Sequence, residues 1–370
     1  MIRVLHMIAS LNVGGSQTMM MNIYRNIDRE KIQFDFVIDH PDETYFAAEI
    51  EALGGRVFTL PIFRGVNAGE IRRDWSNFFY THPEYRILHS HARSYAALFL
   101  PVAKKHGLKT IIHSHSTNSG SGVRGAVKSV LQLPLRAQAD VLMACSRGAG
   151  EWLFGAQACR SERFVLLPNG IDTRRFVSAP EKRAQYRREL GLEGKYVIGH
   201  VGRFFDMKNH SFLLDVFQKV HEREPETVLL LVGEGPLQQA AARKAAELGV
   251  AEQVLMTGKR DDVPELLGAM DVFAFPSLWE GLPMTVVEAQ AAGLPCVLSD
   301  TVTREVDLSP LVEYLPLGDA EVWASALLRR RARQDVTQAI VDAGFDIRST
   351  ARTLTELYIR LDREARQGDK

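Results

Sequence analysis

The chain has 370 residues, 46% of them hydrophobic, and carries 45 Lys plus Arg against 45 Asp plus Glu. Such a length suggests two domains with ordinary packed cores. A formal net charge of zero speaks against bulk attraction to nucleic acid, so local clusters of charge carry the information.

Three cysteines, Cys145, Cys159 and Cys296, fit neither a disulfide scaffold nor a zinc knuckle. A reducing cytoplasm is the expected setting. No run of 18 or more apolar residues is present, so no bilayer-spanning helix is expected. The opening "MIRVLHMIASLNVGGS" has one early basic residue and reads as a first strand and loop rather than a secretory signal.

In chain order, "IRVLHMIA" is a strand candidate and "GGSQTMMMNIYRNI" a loop feeding a helix. "FDFVIDH", "RVFTLPI", "RILHSHA", "LKTIIHSHS" and "DVLMACS" follow as further strands, with helical patterns between several of them. That alternation implies parallel βαβ units. The pattern restarts after "VLLPNGIDTRRF", where Ser178 to Leu190 reads as a linker or a first helix. "YVIGHVGRF", "TVLLLVGEG", "QVLMTGK", "DVFAFPS" and "PCVLSD" are the strands of a second half, with "SFLLDVFQKVHERE" and "LQQAAARKAAELG" as helices. The expected class is α/β: two doubly wound Rossmann-like domains, 1–173 and 174–349, facing a cleft. In the tail, Leu354, Leu357, Tyr358 and Leu361 share one helical face. A helix over 350–370 could dock on the first domain.

"EGLPMTVVEAQ" places Glu280 before a turn and Glu288 eight positions later. Pro283 suits a helix start and Gly293 a helix end. The N–H groups near Leu282, Met284 and Thr285 would point out of that start, a geometry that binds phosphate. Helical side chains lean toward the N-terminus, so Glu288 can approach the helix mouth. A carboxylate there suits a ribose diol beside the phosphate. Glu280 could serve sugar hydroxyls on the other side.

"PSLWEGLPMTVVEAQAAGLPCVLSD" resembles the signature of the retaining glycosyltransferases of family 4, and Glu280 and Glu288 match its E-x7-E. "NVGGSQ", "IIHSHS", "LPNGID", "GRFFDMKN", "LVGEGP" and "TGKRDDVPELL" extend the resemblance along nearly the whole chain, most closely to bacterial capsular and exopolysaccharide enzymes. The resemblance implies a GT-B fold. It also implies a hexosyltransferase that uses a nucleotide diphosphate sugar, UDP-linked by expectation, and a glycan or lipid-linked acceptor.

Arg203 and Lys208, five positions apart after a strand, would offset charge on the leaving diphosphate. Gly258, Lys259, Gly281, Leu282, Pro283, Met284 and Thr285 complete the expected donor site. No D-x-D pair occurs, which favours protein cations and the helix start over bound Mg²⁺, and no cofactor or metal is expected. Gly14 and Gly15 would allow close ligand approach and positive φ, and the resemblance places their loop near the acceptor and the donor phosphate. By resemblance, His115 faces the donor sugar, with His113 as the alternative, and Asn169 and Gly170 lie in a hinge-side loop. Residues 120–139 mix Arg124, Lys128 and Arg136 with Val and Leu around Pro134. They could rest peripherally on an anionic membrane, although a packed exposed helix is the simpler reading. The other classes weighed are a nucleotide-sugar epimerase or hydrolase, a non-catalytic sugar-nucleotide binder and a nicotinamide oxidoreductase. The last is disfavoured because "GEGPLQ" lacks the third glycine of the dinucleotide fingerprint.

Overall fold

The computed structural model describes residues 1–116, 128–177 and 179–368. Two compact units emerge: Met1–Gly170 with Ile347–Lys370, and Ile171–Asp346. The units divide a few residues from the expected boundaries at 173 and 349. The reason is local: Ile171 pairs in parallel with Asp346, and the Thr173 hydroxyl donates to the buried Asp346 carboxylate at 2.7 Å.

In the first unit the strands are β1 (Ile2–Met7), β2 (Ile32–Ile38), β3 (Val57–Thr59), β4 (Ile87–Ser90), β5 (Lys109–Ser114), β6 (Val141–Ala144) and β7 (Phe164–Leu166). They form one sheet in the order β3-β2-β1-β4-β5-β6-β7, every pair parallel. Successive side chains point to opposite faces. Val4 therefore joins one apolar cluster with Phe34 and Phe36, and Leu5 joins the other with Val37 and Trp75. Both faces are covered, which is why these strands read as nearly continuous apolar runs. Asp35 interrupts β2 yet is fully buried. It accepts from Arg3 Nε at 2.6 Å, the Arg56 amide at 2.8 Å and the Tyr85 hydroxyl at 2.8 Å, so its charge is compensated.

The C-terminal helix Ile347–Gly368 belongs to this unit. Leu354, Leu357, Tyr358 and Leu361 are all buried in the cluster that includes Val4 and Ile23. Burying each such side chain contributes about 1.5–3 kcal/mol, which ties the end of the chain to its first strand.

The second unit repeats the plan with β8 (Tyr196–Val201), β9 (Thr227–Val232), β10 (Val254–Met256), β11 (Val272–Phe275), β12 (Cys296–Ser299) and β13 (Val312–Leu315) in the order β10-β9-β8-β11-β12-β13. Val197 and Ile198 again enter opposite clusters. The stretch that reads as linker or helix is a helix over Pro180–Glu189. Its Arg183 and Arg187 grip Asp271 at 2.6 and 3.2 Å, just before β11. Two strands escape the sequence reading, β7 and β13. Both are short edge strands with partly exposed residues, so their apolar signal is weak.

Candidate active site

The carboxyl ends of β8 to β11 gather most of the expected donor-site residues. β8 ends at Val201, and Gly202 and Arg203 follow. A Cβ on Gly202 would sit 2.9 Å from His200 Nε2 and 3.2 Å from Lys208 Cδ, so a side chain there would collide with the lysine stem. Gly233, after β9, has φ of +141°, and a Cβ on it would meet the Gly202 carbonyl oxygen at 2.2 Å. Its N–H donates to the Gly258 carbonyl at 2.9 Å. Gly258 itself lies at φ +70°. Three glycines thus bring three loops into backbone contact, and Arg203 and Lys259 stand exposed beside them.

Lys208 ends a short turn of helix, Asp206–Lys208. Its Nζ meets Glu280 Oε1 at 2.7 Å and lies 4.4 Å from the centre of the Phe275 ring. The two side chains are only 14% and 8% exposed, so the pair is largely shielded from water. The Leu278 amide donates to the Met207 carbonyl at 2.8 Å and holds the two loops together. Two residues 72 positions apart, each singled out from a different motif, are therefore in direct contact. The Arg203 guanidinium lies 4.9 Å from the centre of the Phe205 ring.

Glu280 is followed by the exposed Gly281 and then by the helix Met284–Ala291, with Pro283 as its N-cap and no side chain capping it. Leu282 and Met284 pack on the apolar cluster, so only their backbone is offered. The Val286 N–H turns back to the Pro283 carbonyl at 3.0 Å. The earlier N–H groups have no intrahelical acceptor, as at any helix start. Thr285 adds a buried hydroxyl without a partner among the described residues. Glu288 is partly exposed, yet burial of its carboxyl raises its pKa to about 7, with Arg175 pulling it back down. Arg175 escapes the sequence reading, because it stands far away along the chain in "DTRRF" with no motif to mark it.

The first unit places its candidates at the carboxyl ends of β1, β4 and β5. His6 and His89 are register partners on β1 and β4. His6 Nδ1 lies 3.2 Å from His91 Nε2, and His91 Nδ1 lies 2.8 Å from His115 Nε2. His89 Nε2 lies 3.2 Å from His113 Nδ1, and the Tyr358 hydroxyl lies 2.7 Å from His89 Nδ1. Burial drives all five histidines below their usual pKa, His6 and His115 to about 3, so all are neutral. His113 is wholly buried, whereas His115 is partly exposed and stacks over it at 4.0 Å between centroids. Of the two alternatives, only His115 reaches the unit's surface. In the sequence, His89 and His91 end the run "RILHSHA" as His113 and His115 end "LKTIIHSHS", but His6 on β1 and Tyr358 on the last helix enter the array only through folding.

Gly14 caps the helix Gly15–Asn26 in an extended conformation, and neither Gly14 nor Gly15 has a positive φ. The expectation of left-handed backbone is corrected: Gly15 matters as open space, since a Cβ there meets nothing within 4 Å. Gly170 is packed tight, and a Cβ on it would lie 2.7 Å from Ile347 Cα. Asn169 Oδ1 is buried with no partner among the described residues. The basic stretch 120–139 lies partly outside the described residues. Among the described residues no helix is long and apolar enough to cross a membrane.

Two parallel, doubly wound units of seven and six strands are the architecture of the GT-B class of sugar transferases. Residues 13–175 match the family model described as Glycosyltransferase Family 4, and residues 182–306 match that of Glycosyl transferases group 1. The chain is 35% identical over 370 residues to the EpsF protein of Bacillus subtilis strain 168, covering 96% of each chain. It is 29% identical over 266 residues, 66% of each chain, to an Escherichia coli galactosyltransferase that uses UDP-Gal and a GlcNAc-diphosphoundecaprenol acceptor. The crystal structure of Anabaena Alr3699/HepE with UDP superposes with a TM-score of 0.72 at 19% identity, covering 100% of this chain and 99% of that one. The chain belongs to glycosyltransferase family 4 and is a glycosyltransferase of GT-B fold.

Proposed function

We propose that this enzyme is a retaining hexosyltransferase of exopolysaccharide or capsule synthesis that takes its sugar from a UDP-linked donor and delivers it to a hydroxyl of a glycan or lipid-linked acceptor. The contact that carries the reading is the 2.7 Å pair between Lys208 and Glu280 at the mouth of the helix Met284–Ala291. In this reading Lys208, Arg203 and the N–H groups from Leu282 to Thr285 receive the diphosphate, whose negative charge grows as the glycosidic bond breaks. Glu280 accepts from sugar hydroxyls and supports the oxocarbenium-like state. Glu288 accepts from the ribose diol, and a carboxyl already reluctant to ionise tolerates a nearby phosphate better than a fixed anion would. His115 orients the sugar, and the leaving phosphate takes the acceptor's proton.

The donor assignment draws support from the complexes of HepE with UDP and UDP-glucose, and the acceptor class from the galactosyltransferase relative. Cys145, Cys159 and Cys296 are buried and form no disulfide among the described residues, in keeping with a reducing cytoplasm. A thermal-shift panel of UDP-, GDP- and ADP-sugars tests the reading. A UDP-sugar should stabilise the protein most, and Arg203→Ala should lose that stabilisation. Equal stabilisation of the variant would overturn the site.

A further inference from the structure

The five imidazoles at the strand ends of the first unit exceed what orienting one sugar requires. They sit where the strand order reverses between β1 and β4, the place where ligands bind in doubly wound sheets. Ring nitrogens of His6, His89 and His91, and of His91, His113 and His115, come within 4.8 Å of one another, a spacing that would suit a metal. Ring orientation points elsewhere. The pairs His6–His91, His89–His113 and His91–His115 are inclined by only 14°, 19° and 29°, with centroids 5.5, 5.3 and 5.0 Å apart. Those separations match the nitrogen-nitrogen distances plus the two ring radii. Each pair therefore lies in line, N–H to lone pair, whereas metal ligands must converge on one point.

The direction of one chain follows from counting protons. Among the described residues the Tyr358 hydroxyl has one hydrogen-bond partner, His89 Nδ1. Were Tyr358 the acceptor, two buried groups would be left unpaired, its own O–H and the His113 Nε2 lone pair, whereas with Tyr358 as donor only the His113 Nε2–H is. Tyr358 is therefore the donor, and burial, which raises its pKa well above the ordinary value, keeps that proton in place. A neutral His89 whose Nδ1 accepts must carry its proton on Nε2. That proton goes to His113 Nδ1, and a neutral His113 must then carry its own on Nε2. His113 Nε2 is buried with no partner among the described residues, directly under His115.

We propose that Tyr358, on the C-terminal helix, is a positioning residue of the transfer site: acting through His89, it holds His113 in the Nε2–H tautomer beneath His115. The inference rests on the transferase reading for its consequence, though not for its geometry. A ring that cannot exchange donor for acceptor gives His115 one fixed neighbour to stack and orient against. The last helix, far from any motif, thereby sets the proton pattern at a strand end.

The test uses the full-length protein with ¹⁵N-labelled histidine. Wild type should show His113 as Nε2–H. Tyr358→Phe keeps the ring that packs edge-on against Phe34 at 6.0 Å but removes the donor, and should leave His89 and His113 as tautomer mixtures. UDP release by the variant should fall about three- to tenfold in kcat with KM little changed, the worth of one hydrogen bond. A purely packing role would leave the tautomer signals untouched. The proposal is overturned if His113 is unchanged in Tyr358→Phe, if wild type shows Nδ1–H, or if added Zn²⁺ binds stoichiometrically and displaces the ring protons. Should the tautomers shift as expected while wild type releases no UDP from any nucleotide sugar, the positioning stands and the transferase reading alone fails.

Discussion

At the carboxyl ends of β1, β4 and β5 the candidate side chains are neutral, buried except for the partly exposed His115, and linked nitrogen to nitrogen. At the carboxyl ends of β8 and β11 they are charged, with Lys208 on Glu280, Arg203 exposed and Glu288 partly exposed. The two sheets share a topology: each reverses its strand order between its first and fourth strands. The difference teaches that the backbone plan supplies only a place for chemistry. On the proposed reading, a diphosphate calls for cations and a helix start, and a cation buried without a partner is costly, so these groups are paired or exposed. A neutral sugar calls for hydrogen bonds, which uncharged imidazoles offer without the cost of burying charge.

The largest expected effect removes the charge from the second edge. Lys208→Ala should lower UDP release about 10²- to 10³-fold, the typical loss for one electrostatic stabiliser of a transition state. It should also cost about 3–5 kcal/mol in urea unfolding, because Glu280 would remain shielded and unpaired. Adding Glu280→Gln should restore much of the stability and none of the activity. Recovery of activity by the double variant would erase the contrast between the two edges.

A smaller effect concerns pH. The Glu288 carboxyl is raised from the ordinary 4.5 to about 7 by burial. The native state therefore holds this proton more tightly than the unfolded chain does. Its contribution to stability is full below about 4.5 and is lost as pH rises through about 7, a change of at most about 3 kcal/mol. Glu288→Gln should flatten the stability curve across that window, as urea titrations at several pH values would reveal. The histidine edge should contribute the opposite slope: its depressed imidazoles favour the neutral form, so stability there is lost as pH falls below the ordinary histidine range.

The smallest change is Gly15→Ala. Open space and an unexceptional φ mean stability should move by less than about 1 kcal/mol. If the space serves a ligand, calorimetry should show UDP-sugar binding weakened about three- to tenfold. Unchanged binding would confine ligand recognition to the charged edge.

Sequence by itself determined the α/β class, the two-unit plan and the E-x7-E segment, because each is written in local order. Buried parallel strands need continuous apolar runs, and a helix start needs its turn residues beside it in the chain. It also marked Lys208 and Glu280 separately. Only tertiary structure decided that they touch, that His6 and Tyr358 complete the histidine array, and that Arg175 lies near Glu288. It also revealed β7 and β13, short edge strands whose partly exposed residues leave little apolar pattern to read. The physical reason is common to all of these: contacts between residues distant along the chain depend on which strand lies beside which, and strand order leaves no periodicity in the sequence.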